Sequence, residues 1–164
     1  MRIQYLILLT LSGFVVALDQ VTKLYVSSHF LQGQSYIVIN HVLNITYSTN
    51  LAGIFDIFQS ISEGLRLFFF LFIPTIAILF ILIVVIKYKN LALAPTIGFS
   101  LIAGGALGNM LDRIRFQSVI GFLDFSMLPK RHPMNGADLF LLLGGFIIFI
   151  CIVRGRFLAK ELSV

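Results

Sequence analysis

The stretch from residue 104 to residue 138 reads GGALGNMLDRIRFQSVIGFLDFSMLPKRHPMNGAD. It begins as an apolar helix of small residues, leaves through a group of polar side chains, crosses a polar loop and returns at Asp138 to a second apolar run. Asp124 lies inside the loop. Almost everything else in the chain is compatible with hydrocarbon, and an unpaired charge at membrane depth is costly. The carboxylates of Asp124 and Asp138 therefore require an explanation.

The composition is that of a membrane protein. The chain has 164 residues, of which 59% are hydrophobic and only 12% are charged, far from the usual soluble composition. The net charge of +5 comes from scattered basic residues rather than from one basic stripe, which argues against a nucleic-acid-binding protein. The single cysteine, Cys151, excludes an intramolecular disulfide and a zinc cluster built from cysteines.

Four apolar runs predict four transmembrane helices, because a hydrocarbon core of ~30 Å requires about 20 apolar residues at ~1.5 Å per residue. The predicted spans are about 3–26, 67–86, 91–111 and 137–153. The first run could be a secretory signal peptide, but no Ala-x-Ala site follows it, so we predict a retained helix. The third run carries Gly104-x-x-x-Gly108, a pattern typical of closely packed transmembrane helices. We therefore predict one integral-membrane domain over residues 1–164.

The segment between the first two spans, 27–64, predicts a small cap. Residues 36–40 and 42–47 are rich in β-branched and aromatic side chains, which is typical of short strands. Four apolar residues recur at helical spacing and predict a short amphipathic helix on the membrane surface: Ile54, Ile57, Phe58 and Ile61. The predicted fold is an all-α membrane bundle of four helices with a β-rich extracytoplasmic cap and this surface helix.

The basic residues predict the orientation of the helices. Lys87 and Lys89 lie in the turn between the second and third spans, further basic residues follow the fourth, and segment 27–64 has neither Lys nor Arg. The positive-inside rule therefore places both termini and the turn 87–90 in the cytoplasm. Segments 27–64 and 112–136 then face outside. The basic residues of the second outer segment break the rule, and we interpret them as functional or lipid-facing: Arg113, Arg115, Lys130 and Arg131.

Polar residues gather at the predicted outer ends of the spans. Asp19 and Lys23 are four residues apart and share one face of the first helix, as Asn109 and Arg113 do on the third. A local ion pair, or a charge at a helix N-terminus, could explain each of them taken alone. Their common depth favours a functional site. Its predicted members are Asp19, Lys23, Asn50, Asn109, Asp112, Arg113, Asp124, Asn135 and Asp138.

A pair of carboxyl groups at one site has a specific chemical use. Near neighbours cannot both ionise cheaply, so one stays a base that can deprotonate water while the other stays an acid. That is sufficient for peptide hydrolysis without a metal, another cofactor or a covalent intermediate. A serine hydrolase is disfavoured because no Gly-x-Ser-x-Gly motif occurs. A small transporter or channel subunit could use the same carboxylates as an ion relay, and this alternative stays open.

Five blocks of sequence point to a known family. They are Asp19-Gln20-Val21-Thr22-Lys23, residues 50–55, Gly108-Asn109-Met110-Leu111-Asp112-Arg113, Leu123-Asp124-Phe125 and Asn135-Gly136-Ala137-Asp138. In this order and on four predicted spans, they resemble the lipoprotein signal peptidase family, also called signal peptidase II or prolipoprotein signal peptidase.

The resemblance implies an aspartic membrane protease of the bacterial inner membrane. Such enzymes remove the signal peptide from prolipoproteins by cutting just before a diacylglyceryl-modified cysteine. Asp124 and Asp138 match the catalytic pair, and the other polar residues match supporting or substrate-contacting positions. The implied partners are lipidated prolipoproteins and membrane lipid, with no nucleic acid, no metal and no cofactor. The expected oligomeric state is a monomer.

Overall fold

A computed structural model describes residues 3–50, 62–126 and 133–158. Its elements, in chain order, are α1 (Ile3–His29), β1 (Ser35–Ile39), β2 (Leu43–Asn50), α2 (Glu63–Lys87), α3 (Leu93–Phe116), β3 (Val119–Phe125) and α4 (Gly136–Val153). All four helices are long and apolar enough to cross a membrane, so the predicted fold class is confirmed and the chain is a multi-pass membrane protein. The predicted surface helix at 54–61 lies outside the described residues.

Helix α3 is the centre of the bundle. In its most apolar window 67% of the residues are buried, against 22% or less in the other three helices. Its glycines explain the packing, because a Cβ at Gly104 would lie 2.7 Å from the Cβ of Val15 in α1, and a Cβ at Gly105 would lie 2.6 Å from the carbonyl oxygen of Ala137 in α4. Small residues thus let α3 approach a helix on each side, as the glycine pattern predicts.

The three strands form one antiparallel sheet in the order β1-β2-β3. The two predicted strands of segment 27–64 are present, but the prediction that 112–136 is a loop is wrong, since it contains β3. Strand β3 is buried along most of its length, so it lacks the alternation that identifies a strand with one wet face. It pairs with β2, which comes much earlier in the chain, and local sequence does not reveal such a partner.

Helix α3 continues beyond the predicted end at residue 111. It ends at Phe116, and Gln117 follows with φ of 56°, in the left-handed conformation that commonly terminates a helix. The additional turns place Asp112 and Arg113 on the helix itself. The helical backbone of α3 therefore sets the directions in which these two side chains extend.

The two ends of the bundle differ. At one end, the side chain of Gln4 donates a hydrogen bond to the carbonyl of Val85 at 2.9 Å, and the backbone N–H of Ala92 donates to the carbonyl of Phe157 at 3.1 Å. The start of α1, the turn after α2 and the segment after α4 therefore lie together. The polar residues singled out in the sequence lie at the opposite end, together with the sheet.

Candidate active site

The N-terminus of α4 holds Asp138. Asn135 is the N-cap, and its side-chain oxygen accepts a hydrogen bond from the backbone N–H of Asp138 at 2.9 Å. The carboxylate of Asp138 accepts in return from the backbone N–H of Asn135 at 3.1 Å. This reciprocal capping box satisfies two N–H groups that a helix start leaves without partners. It also holds the Asp138 carboxylate at a defined position.

A second donor reaches Asp138 from α3. Asn109 donates from Nδ2 to Oδ1 of Asp138 at 2.8 Å. Its own Oδ1 accepts from Lys23 Nζ at 3.1 Å and from Asn135 Nδ2 at 2.9 Å. An ammonium group can only donate, so the oxygen of the Asn109 amide must face Lys23 and its NH₂ group must face Asp138. Lys23 therefore determines which side of this buried amide meets the carboxylate.

Lys23 lies between two carboxylates. Its ammonium nitrogen is 2.7 Å from Asp19 and 2.9 Å from Asp112, and all three side chains are at most 2% exposed. Each carboxylate also accepts from the backbone, Asp19 from the N–H of Ala137 at 2.9 Å and Asp112 from the N–H of Ile120 at 3.2 Å. Buried charges require such complete pairing. The cluster thereby connects α1, α3, β3 and the first turn of α4.

Gly108 leaves the space that this cluster occupies. A Cβ at this position would lie 2.6 Å from Oδ2 of Asp19, well inside van der Waals contact. The second glycine of the Gly104-x-x-x-Gly108 pattern thus serves the polar cluster as well as helix packing. The side-chain amide of Gln20, the residue after Asp19, donates a hydrogen bond to Oδ1 of Asp112 at 2.9 Å. This bond gives the buried carboxylate of Asp112 a further partner.

Asp124 comes from the sheet. It lies in β3 opposite Asn44 of β2 and is only 4% exposed. Its Oδ2 accepts a hydrogen bond from the hydroxyl of Thr46 at 3.3 Å. Its Oδ1 is buried and has no hydrogen-bond partner within residues 3–50, 62–126 and 133–158. A buried oxygen without a hydrogen-bond partner is costly.

The backbone brings the two carboxyl-bearing segments side by side. The N–H of Leu123 donates to the carbonyl of Met134 at 2.8 Å, and the N–H of Met134 donates back at 2.9 Å. Asp124 follows Leu123 in the chain, so it lies next to the segment that leads into α4. This approach requires Gly121, because a Cβ there would collide with the carbonyl oxygen of Pro133.

Arg113 and Asn50 complete the predicted set. The guanidinium carbon of Arg113 lies 4.6 Å from the ring centroid of Phe70 in α2, a cation–π contact, and Arg113 also attracts Asp138 and Asp112 electrostatically. The backbone of Asn50 pairs with Val119 at the end of β2, and its side chain lies outside the described part of the chain.

Sequence reasoning missed two side chains of the site. Gln20 contacts Asp112, and its presence as a polar residue next to Asp19 inside a span was an available signal. Thr46 contacts Asp124 from a neighbouring strand. No local pattern marks Thr46, because the contact exists only through the register of β2 on β3.

Known proteins match both the sequence and the fold. The family model described as signal peptidase (SPase) II matches residues 11–154, most of the chain. The chain belongs to the signal peptidase II family.

Relatives named lipoprotein signal peptidase agree with this assignment. The protein of Syntrophus aciditrophicus is 35% identical over 155 residues, which cover 94% of this chain and 96% of that protein. The protein of Desulforapulum autotrophicum is 34% identical over 140 residues, covering 85% and 86%. A Staphylococcus aureus protein is 33% identical, covering 92% and 90%. The family predicted from the five sequence blocks is therefore confirmed.

Two solved structures share the fold. Both are described as bacterial membrane enzyme structures obtained by the in meso method, and each superposes with a TM-score of 0.80. The first is 30% identical and covers 96% of this chain and 93% of its own; the second is 31% identical and covers 90% and 92%. As a signal peptidase II, the chain is a membrane-embedded peptide hydrolase. The transporter alternative receives no support from any of these similarities.

Proposed function

We propose that this signal peptidase II removes the signal peptide from diacylglyceryl-modified prolipoproteins, cutting just before the lipidated cysteine, and that Asp124 and Asp138 are its catalytic carboxyl groups. The observation that carries the residue assignment is the buried Oδ1 of Asp124, which lacks a hydrogen-bond partner among the described residues. The hydrogen bonds of Asp138 support the same assignment, because Asn109 and the backbone of Asn135 hold its carboxylate at the N-terminus of α4. The names of the relatives support the substrate class.

The hydrogen bonds suggest different roles for the two carboxyl groups. Both oxygens of Asp138 accept from N–H groups, one from Asn109 and one from the backbone of Asn135. A proton on either oxygen would face a donor, so Asp138 is the carboxylate that takes a proton from water. Asp124 then carries the proton that the products require, since a buried oxygen without a partner accommodates a neutral O–H more cheaply than a charge.

The reaction balances with these two groups and one water molecule. Asp138 removes a proton from water as the water oxygen bonds to the scissile carbonyl carbon, and Asp124 protonates the carbonyl oxygen. In the collapse of this intermediate the carbon–nitrogen bond breaks, the nitrogen takes the proton held by Asp138, and the hydroxyl proton returns to Asp124. The products are a new carboxyl group and a new amine. No metal or other cofactor enters the scheme.

The proposed cellular arrangement follows the charge distribution. The enzyme acts in the bacterial inner membrane as a monomer, with both termini and the lysine-bearing turn in the cytoplasm and the site at the outer face. The signal-peptide helix and the acyl chains of the substrate remain in the lipid phase. Most substrate affinity then derives from apolar contacts, at roughly 0.8 kcal/mol per buried methylene.

The test is cleavage of a diacylated prolipopeptide by the purified protein in detergent, with the cut site identified by mass spectrometry. Asn nearly matches the shape of Asp but can neither accept a proton from water nor donate one as a carboxylic acid. We expect Asp124→Asn and Asp138→Asn each to lower kcat at least about 100-fold, with the double variant little worse than either.

Controls separate chemistry from folding and from metal dependence. Both variants should retain parental thermal unfolding in detergent and should still bind the precursor, and the parent enzyme should keep its rate after exhaustive chelation. Detergent removes any ion gradient, so cleavage there also argues against ion relay as the function. Turnover within a few-fold of the parent in both Asn variants would refute the residue assignment.

A further inference from the structure

A line of hydroxyl groups crosses the sheet and ends at Asp124. Ser35 of β1 is paired with Thr46 of β2, and their hydroxyl oxygens are 2.8 Å apart. The residue opposite Asp124 in β2 is Asn44, so Thr46 is two positions along and lies on the same face of the sheet, within diagonal reach. Its hydroxyl is 3.3 Å from Oδ2 of Asp124. The three side chains therefore form one connected series.

Each hydroxyl in this series has a single proton, so the series can run in one of two directions. Between Ser35 and Thr46 either oxygen can be the donor. In one direction Ser35 donates to Thr46 and Thr46 donates to Oδ2 of Asp124. In that direction Oδ2 is an acceptor, and a proton on the Asp124 carboxyl group belongs on Oδ1.

We propose that Thr46 is a positioning residue for the catalytic acid: its hydroxyl holds Oδ2 of Asp124 as an acceptor, so that the proton used in the reaction sits on Oδ1. Oδ1 is the buried oxygen that has no partner in the described residues, which makes it the atom free to meet the substrate. This inference rests on the proposed function, because it presupposes that Asp124 is the acid.

The contact between Thr46 and Asp124 is long for a hydroxyl donor. The distance of 3.3 Å exceeds the ~2.7–2.8 Å that is most common for hydroxyl donors. Catalytic hydrogen bonds are often long without substrate and tighten in the complex with substrate.

The test removes the hydroxyl group of Thr46 without changing the shape of the side chain. In Thr46→Val, the proton of Asp124 is no longer confined to Oδ1, and we expect kcat for the diacylated prolipopeptide to fall about 10- to 100-fold with KM unchanged. Thr46→Ser keeps the hydroxyl and should recover kcat to within about threefold of the parent. The matched control is Thr49→Val on the same strand, where the hydroxyl accepts from Gln32 at 2.8 Å; its kcat should equal the parental value.

The outcomes separate this inference from the proposed function. Parental kcat in Thr46→Val, or a change confined to KM, would overturn the positioning role while Asp124→Asn remains inactive and the proposed function stands. An active Asp124→Asn would instead refute the proposed function. Should Thr46→Val fail to fold, the pair Thr46→Ala and Thr46→Ser makes the same comparison, since the two differ only in the hydroxyl; equal kcat values in that pair would also overturn the inference.

Discussion

At the scale of single residues, Lys23 matters most to the stability of the site. It is a buried cation placed between Asp19 and Asp112, and it also orients the amide of Asn109. A buried ion pair contributes little net stability compared with an apolar replacement of the whole set, but the loss of one member leaves charges without compensation. Lys23 is therefore far more important to folding than an exposed lysine.

The substitution Lys23→Met tests this role. It keeps the length of the side chain but leaves two buried carboxylates without their cation, and we expect a loss of about 3–5 kcal/mol in the free energy of unfolding. The measurement is equilibrium unfolding in detergent, with Lys89→Met at the exposed turn as the matched control, for which we expect a change of less than about 0.5 kcal/mol.

The structure also predicts how a charge reversal behaves in the same assay. The exchange Asp19→Lys with Lys23→Asp looks conservative if the two residues form an isolated pair. In the structure the new carboxylate at position 23 would face Asp112, so the exchange should not restore stability. Parental stability in either Lys23→Met or the exchanged variant would show that the three charges do not depend on one another.

At the scale of elements, close contact between α3 and α4 positions the site. A Cβ at Gly144 of α4 would lie 2.6 Å from the carbonyl oxygen of Gly98 in α3, whereas a Cβ at the adjacent Gly145 would meet nothing within 4 Å. Contact with backbone atoms cannot be relieved by a rotamer change. Gly144 thus permits the close approach of the two helices, whereas Gly145 faces outward.

This pair gives a matched test of helix packing. We expect Gly144→Ala to lower the free energy of unfolding by about 1–3 kcal/mol, because the helices must separate to admit the methyl group. Gly145→Ala should be neutral or stabilising by up to about 1 kcal/mol, because alanine is the better helix former. Thermal and chemical unfolding in detergent measure both. Equal effects of the two substitutions would show that the close crossing is not required.

At the scale of the whole molecule, the site lies at one end of the bundle, and the basic residues of the turn after α2 and of the segment after α4 lie at the other. The turn after α2 carries Lys87 and Lys89, and the segment after α4 carries further basic residues; contacts between Ala92 and Phe157 join the two. The sheet and the buried ion cluster lie at the other end. A single orientation in the membrane therefore decides on which side the substrate is cut.

Cysteine labelling of intact cells tests that orientation. In a Cys151→Ala background, which removes the buried native thiol, cysteines at Ser48 and Gln117 should react with an impermeant reagent. A cysteine at Asn90, in the exposed turn, should react only after the cells are opened. Labelling at Asn90 with none at Ser48 would invert the topology and exclude an active site on the outer face.

The sequence by itself determined the bundle and the family. Span lengths follow from the thickness of the bilayer, which is a property of the solvent and not of tertiary contacts, so four helices could be counted from hydropathy. The five sequence blocks identified the family, and spacing placed Asp19 with Lys23 on one helical face. Strand β1 and most of β2 could be predicted from β-branched and aromatic residues, because they lie next to each other in the chain.

Only the tertiary structure decided how the site is assembled. Strand β3 becomes a strand because β2, far away in sequence, supplies its hydrogen bonds, and that register alone brings Thr46 to Asp124. Lys23 reaches Asp112 as well as Asp19 because Gly108 lets α3 approach α1 closely. Hydrogen bonds and ion pairs between distant segments depend on distances of a few ångström, and these are set by packing, which local patterns in a sequence do not encode.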